Sequence, residues 1–280
     1  MAVSRVRTWD HARRRAVNRL TGEFAHEYSH AVPATPDDEA LTPRPAAGRV
    51  FPAGRRPVRS ADVHPSGRMR LDGIARVLQD ISTDDTVDAA LDDGGAWVVR
   101  RTVVEVEVFP QYLEVLTPVT WCSGTGSHYA ERRTEIRGER GRVDAASLWV
   151  QVERGSGRPR RVTPQFTELY GEAAGGRRVT ARLVHDAPPP DLELRSWVVR
   201  ASDFDMWRHV NNSVYWAIVE EAWASIDELG APLRAELEHR VAISPGATVE
   251  WGWVPSPDRG FDLWILADGV VVASARVRPR

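Results

Sequence analysis

Leu71, Ile74, Ala75, Leu78 and Ile81 recur at helical spacing inside the polar stretch from residue 56 to 95, and the paired glycines Gly94 and Gly95 stop the pattern. Apolar positions at that period line one face of an amphipathic helix. The period then changes. Four segments, "AWVVRRTVVEVEVFP", "YLEVLTPVTWCSG", "HYAERRTEIRG" and "RVDAASLWVQVERG", are rich in Val, Thr, Trp or Tyr and end at Gly or Pro. They predict antiparallel strands joined by short turns. The same order returns further on, as strand "SWVVRAS", loop "DFDMWRHVNN", helix "NSVYWAIVEEAWASIDELG", then strands near "HRVAI", "ATVEWGWV", "FDLWILA" and "VVVASARVR". Between the two runs, "GEAAGG" and "DAPPPD" mark a change of composition expected of a linker.

The repeat survives a direct overlay. "VRSADVHPSGRMRLDGIARVLQD" from Val58 and "VRASDFDMWRHVNNSVYWAIVEE" from Val199 align without a gap. Asp62 falls on Asp203, His64 on Asp205, Arg68 on His209, and Gln79 and Asp80 on Glu220 and Glu221. The expected organisation is therefore a polar, weakly ordered extension over 1–48, one unit over 49–165, a linker over 166–194 and a second unit over 195–280. A basic docking arm is the alternative for the extension.

Composition narrows the function classes. All 37 basic residues are arginine and 39 acids offset them, which gives no support to nucleic-acid binding. The single cysteine, Cys122, permits no internal disulfide and no cysteine metal site, and its valine-rich strand makes it a small core residue. No run of about 18 apolar residues is present to span a bilayer, and the opening lacks the apolar core of a secretory signal. A soluble cytoplasmic protein is expected, with no membrane span.

Candidate chemistry gathers in one loop. The chain has three asparagines, and two of them, Asn211 and Asn212, close the stretch that holds Asp205 and His209. A helix start presents free backbone N–H groups and partial positive charge, which suits the polarisation of a carbonyl oxygen. Asp205 could then act as general base or as nucleophile. The bland alternatives are that Asp205 or the asparagines cap the helix and that His209 makes a structural hydrogen bond. Glu220 and Glu221, on the following helix, are the alternative carboxylates. Trp216 and Trp223 are expected in the core, while Trp207 would wall a substrate channel.

A long helix followed by a twisted antiparallel sheet resembles the hotdog fold, and two copies form a double hotdog, an α+β architecture with two sheets each wrapping a central helix. "DFDMWRHVNNSVYW" resembles the D-x-D-x-N-x-H-V-N-N-x-x-Y motif of the acyl-ACP thioesterases of plants and bacteria. "LQD", "WVVRRTVVEVEVFPQYLEVLTPVTWCSGTG" and "AASLWVQVERGSGRPRRV" are similar to the first half of that family, so the likeness spans about residues 50 to 280. It implies hydrolysis of the thioester between a fatty acyl chain and the phosphopantetheine arm of acyl carrier protein, with no metal or cofactor. It also implies catalytic roles for Asp205 and His209; the reading of the loop itself adds Asn211 placing the thioester oxygen and Trp207 and Asn212 at the substrate. Asp62 and His64 look like a retired or substrate-lining copy. Two departures stand out: Trp207 replaces the family asparagine, and the acidic residue followed by cysteine that the family carries after the helix has no counterpart in "EHRVAISPGA". The alternatives are an acyl-CoA thioesterase or a noncatalytic double hotdog binding acyl chains or carrier protein. The loop placement argues against a dehydratase. A monomer and a homodimer are both compatible with the sequence.

Overall fold

The computed structural model describes residues 41–92, 94–226 and 230–280. Strands β1 (Val50–Pro52) and β2 (Arg56–Pro57) lead through a 3-10 turn at Ser60–Asp62 into helix α1 (Leu71–Asp88). Strands β3 (Gly95–Val108), β4 (Val115–Thr125), β5 (Tyr129–Arg137) and β6 (Arg142–Glu153) follow, and then helix α2 (Pro164–Ala174). The second run comprises β7 (Arg195–Trp197), a 3-10 turn at Ala201–Asp203, helix α3 (Asn212–Trp223), β8 (Leu233–His239), β9 (Val249–Pro255), β10 (Phe261–Ala267) and β11 (Val270–Pro279).

All the strands join one antiparallel sheet in the order β1-β4-β5-β6-β3-β8-β11-β10-β9-β7, with β2 beside β4. The order reads as the same five-strand sequence from either end. Its two halves meet edge to edge where β3 pairs with β8, with Arg101 opposite Glu238 and Val106 opposite Leu233. Each half thereby covers the strand edge that the other would expose. The apolar faces of α1 (Leu71, Ile74, Leu78) and α3 (Tyr215, Trp216, Ile218, Val219) share one core with inward residues of the sheet, and the two helices pack against each other. This is the expected double hotdog.

Three local expectations are corrected. The strand expected near "HRVAI" lies earlier, at β8, where Leu233, Ala235 and Leu237 enter the core and Arg234, Glu236 and Glu238 alternate with them. Those charges are matched by Glu105, Arg101 and Arg240, and the segment after α2 lays the amides of Val184 and His185 on the Glu238 carboxylate. Part of the stretch read as a linker is α2, capped by Thr163, whose side chain accepts from the Phe166 amide at 3.2 Å, and packed through Phe166, Tyr170 and Ala174 beside Cys122. "SWVVRAS" is strand only to Trp197 before the chain turns. Cys122 is buried, as expected of a core residue. Of the extension, residues 1–40 lie outside the described ones, while Thr42 and Arg44 contact Arg133 and Glu135 of β5. Among the described residues, no helix is long and apolar enough to cross a membrane.

Candidate active site

The loop between the second 3-10 turn and α3 is fixed by its own backbone. Phe204 and Val210 form an isolated antiparallel bridge, the Asp205 amide donates to the His209 carbonyl at 2.9 Å, and the Arg208 amide donates back to the Asp205 carbonyl at 2.9 Å. Arg208 turns the chain in the left-handed region, at φ 62°, a conformation that costs an ordinary L-residue roughly 1–2 kcal/mol. One oxygen of Asp205, Oδ1, accepts the amides of Trp207 at 2.9 Å and His209 at 3.1 Å. Among the described residues nothing hydrogen-bonds the other oxygen, Oδ2. The carboxylate is thus anchored by one arm, with the second available.

The loop closes onto α3 through Asn211, the residue that caps the helix. Its Oδ1 accepts from the Ser213 amide and hydroxyl, both at 2.9 Å, and its carbonyl accepts from the Val214 amide at 2.9 Å. Asn211 is therefore occupied at its oxygen by the cap. Asn212, half-buried, is the first helical residue. His209 is exposed, and its link to Asp205 runs through the backbone rather than ring to carboxylate. Trp207 sits at the loop tip, 55% exposed, beside the still more exposed Met206.

Two buried groups that sequence reasoning passed over support this loop from below. Tyr215 accepts the Ile243 amide at 3.2 Å, while the Ile243 carbonyl accepts the Val210 amide at 3.0 Å. Burial raises the Tyr215 phenol, and the nearby Asp205 charge adds to that, so it stays protonated. The signal was present, since this tyrosine ends the motif. His239 stands edge-on to Tyr215 with ring centroids 4.8 Å apart. Burial first, and then the Arg100 charge, push its imidazole down to about 3, so it is neutral near pH 7.

The corresponding loop of the first half repeats the backbone bonds of the turn. His64 N to Arg68 O and Gly67 N to His64 O are each 2.8 Å, and Arg70 N to Asp62 O matches Asn211 N to Asp203 O at the same 2.8 Å. Gly67 takes the left-handed position at φ 87°. His64 Nδ1 accepts the Ser66 amide at 3.2 Å, as Asp205 Oδ1 accepts that of Trp207. An imidazole therefore takes over one of the two amides that the carboxylate holds, that of the residue two places on, and the backbone turn is the same with either.

The helix glutamates are separated by the fold. Glu221 is exposed. Glu220 is buried and reaches the first-half loop, where Arg68 grips it with two nitrogens at 3.1 and 2.7 Å and the Leu71 amide donates to Oε1 at 2.7 Å. Arg68 in turn lies over the Trp223 ring, 4.1 Å from its centroid. Both lone-pair faces of that carboxylate are spent at the N-terminus of α1, away from Asp205. The first-half copy is closed by this pair.

Among the described residues one set has the donor types of a metal site, His185, Glu236 and Glu238, within 4.8 Å of one another. Arginine already neutralises it. Burial alone would raise the Glu236 carboxyl, but His185 and Arg101 outweigh that and hold it at about 2, while Arg234 and Arg240 flank the pair. Its chemistry is charge balance under the segment that follows α2.

Residues 53–170 match the family description "Acyl-ACP thioesterase N-terminal domain" and residues 189–276 match "Acyl-ACP thioesterase C-terminal domain". The chain belongs to the acyl-ACP thioesterase family. An uncharacterized protein of Mycobacterium tuberculosis is 31% identical over 214 residues, which is 75% of this chain and 84% of that protein. A structure titled 12:0-ACP thioesterase from Umbellularia californica is similar with TM-score 0.69 and 19% identity, over 82% of this chain and 96% of that one. An acyl-ACP thioesterase structure from Bacteroides thetaiotaomicron gives TM-score 0.64 and 16% identity, over 82% of this chain and 97% of the other. Likeness at such identity speaks for the fold. The segment "EHRVAISPGA" meets the loop through the backbone of Ile243, which accepts the Val210 amide and donates to Tyr215.

Proposed function

We propose that this chain hydrolyses the thioester of a fatty or related acyl group carried on acyl carrier protein, releasing the free acid, in the cytoplasm and without a metal or cofactor. The carrying observation is the difference between two loops of the same backbone. In the first, Arg68 and Glu220 fill the helix entrance; in the second, Asp205 keeps one oxygen, and the helix its first amide, without a hydrogen-bond partner among the described residues. On this reading 49–165 is the scaffold unit and 195–280 the reactive one, and the family membership supports carrier protein as the donor.

Asp205 takes a proton from water as the water oxygen attacks the thioester carbon. The carbonyl oxygen becomes an oxyanion, and the free Asn212 amide at the start of α3 stabilises it. Collapse breaks the carbon–sulfur bond, and the phosphopantetheine thiolate leaves with the proton that Asp205 collected. His209 shares or relays that proton at the exposed side of the loop. Asn211 positions the helix start, and Trp207 and Asn212 border the acyl thioester. The test is release of free thiol from acyl-ACP and from acyl-CoA. Asp205→Asn keeps the shape and removes the base, so the rate should fall by roughly a hundredfold or more, while His64→Ala changes it little. If neither thioester yields thiol, the hydrolase reading is wrong.

A further inference from the structure

We infer that Gln79, from the first half, completes the reaction centre of the second by donating a hydrogen bond to the thioester oxygen beside the Asn212 amide. The inference rests on the proposed hydrolysis and on the internal symmetry described above. Glu220 and Gln79 occupy equivalent positions on α3 and α1, each eight residues after the first residue of its helix. The two side chains have the same skeleton and length. Glu220 crosses between the packed helices to the first amide of the opposite one, Leu71 N, at 2.7 Å. Symmetry therefore directs the Gln79 carboxamide toward the equivalent amide, that of Asn212, although no hydrogen bond joins the two.

A full account of the first turn of α3 leaves that amide in need of a partner. Ser213 N is taken by Asn211 Oδ1 and Val214 N by the Asn211 carbonyl, whereas the Asn212 N–H donates to no described residue. Helix-start amides that lack partners are either solvated or ready for a ligand. Gln79 is half-buried, and its carboxamide hydrogen-bonds no described residue. Both members of the equivalent pair are thus unspent in the half that holds Asp205.

The exchange of carboxylate for carboxamide has a chemical meaning. A carboxylate can only accept, so at the second site it would occupy the Asn212 amide and repel a developing oxyanion. A carboxamide carries two N–H donors and can turn Nε2 toward the oxygen that the amide also binds. Two donors converging where charge develops is the arrangement that lowers an acyl-transfer barrier.

Two variants test this, with two kinds of readout. Gln79→Met keeps length and volume but cannot donate; kcat on acyl-ACP should fall about tenfold or more with KM changed little. Gln79→Glu copies the closed half, so it should be the poorer enzyme. It should also move the Asn212 amide proton downfield, in step with titration of the new carboxyl. Selective 15N-asparagine labelling makes that signal accessible, because the chain has only three asparagines. An unmoved Asn212 signal in the Gln79→Glu protein, or a Gln79→Met kcat within twofold of an active parent, overturns the assignment. A parent that releases no thiol sinks the hydrolysis reading and the donor role with it, whereas a failed Gln79 assignment in an active enzyme leaves that reading standing.

Discussion

Arg68→Met should destabilise the protein severely at neutral pH while sparing its chemistry. The Glu220 side chain is 8% exposed and depends on Arg68 for two of its three hydrogen bonds. Methionine fills the space of the arginine stem without supplying charge or donors. Removing one member of a buried pair typically costs about 3–5 kcal/mol, because the other is stranded. The expected loss is therefore about 4 kcal/mol, and urea unfolding of parent and variant at pH 7 measures it directly. The double variant Arg68→Met, Glu220→Met should regain most of the loss, since an apolar pair replaces the ionic one. Below its melting range the double variant should release thiol from acyl-ACP nearly as fast as the parent. A destabilisation below about 1 kcal/mol would refute the reasoning. A folded double variant without activity would restore Glu220 as a catalytic candidate.

His239 predicts an acid limb. Its folded value of about 3 lies below the ordinary 6.5, so its neutral form contributes stability that is complete above pH 6.5 and lost progressively as pH falls toward 3. His239→Phe keeps the aromatic contact with Tyr215 and should flatten the fall of unfolding free energy between pH 6.5 and 4 by about 1.4 kcal/mol per unit, measured by urea titration at several pH values. If the proposed substrate is right, recognition of an acidic carrier protein draws on arginine, since no lysine is present. KM for acyl-ACP should therefore rise several-fold between low salt and about 0.5 M salt, and an unchanged KM would dismiss an electrostatic contribution to docking.

The order of elements was legible because helix and strand leave different periods, and those periods repeat. α1, α3 and the long strands follow from the spacing of Leu71, Ile74 and Leu78 and from the valine-rich runs. What misled the reading was charge and composition. Glu236 and Glu238 made β8 look unlike a strand, although Leu233, Ala235 and Leu237 alternate through it, because the cations that neutralise them come from β3 and from Arg240. The glycines and alanines of "GEAAGG" hid α2, yet Thr163, Pro164 and Gly175 are its start and stop signals.

The site was legible to the same depth, and for a related reason. Local spacing showed Asp205, His209 and the asparagines in one loop, but it could not show that Glu220 belongs to the other loop, because that contact spans 152 residues. It also could not weigh Asn211, whose cap uses the same atom that a substrate role would claim. The internal overlay carries more information than either motif. Two copies of one loop share their backbone bonds, so a residue needed merely to hold the loop should be replaceable between them. His64 and Asp205 pass that test for the turn itself. What differs is the neighbourhood: the first copy has an arginine and a glutamate that satisfy each other, and the second has a histidine and a glutamine that do not. Polar groups left unmatched at a helix start cost stability. Their presence in one copy, where the other has the helix-start amide closed by Glu220, is what a binding site for a polar reacting group requires.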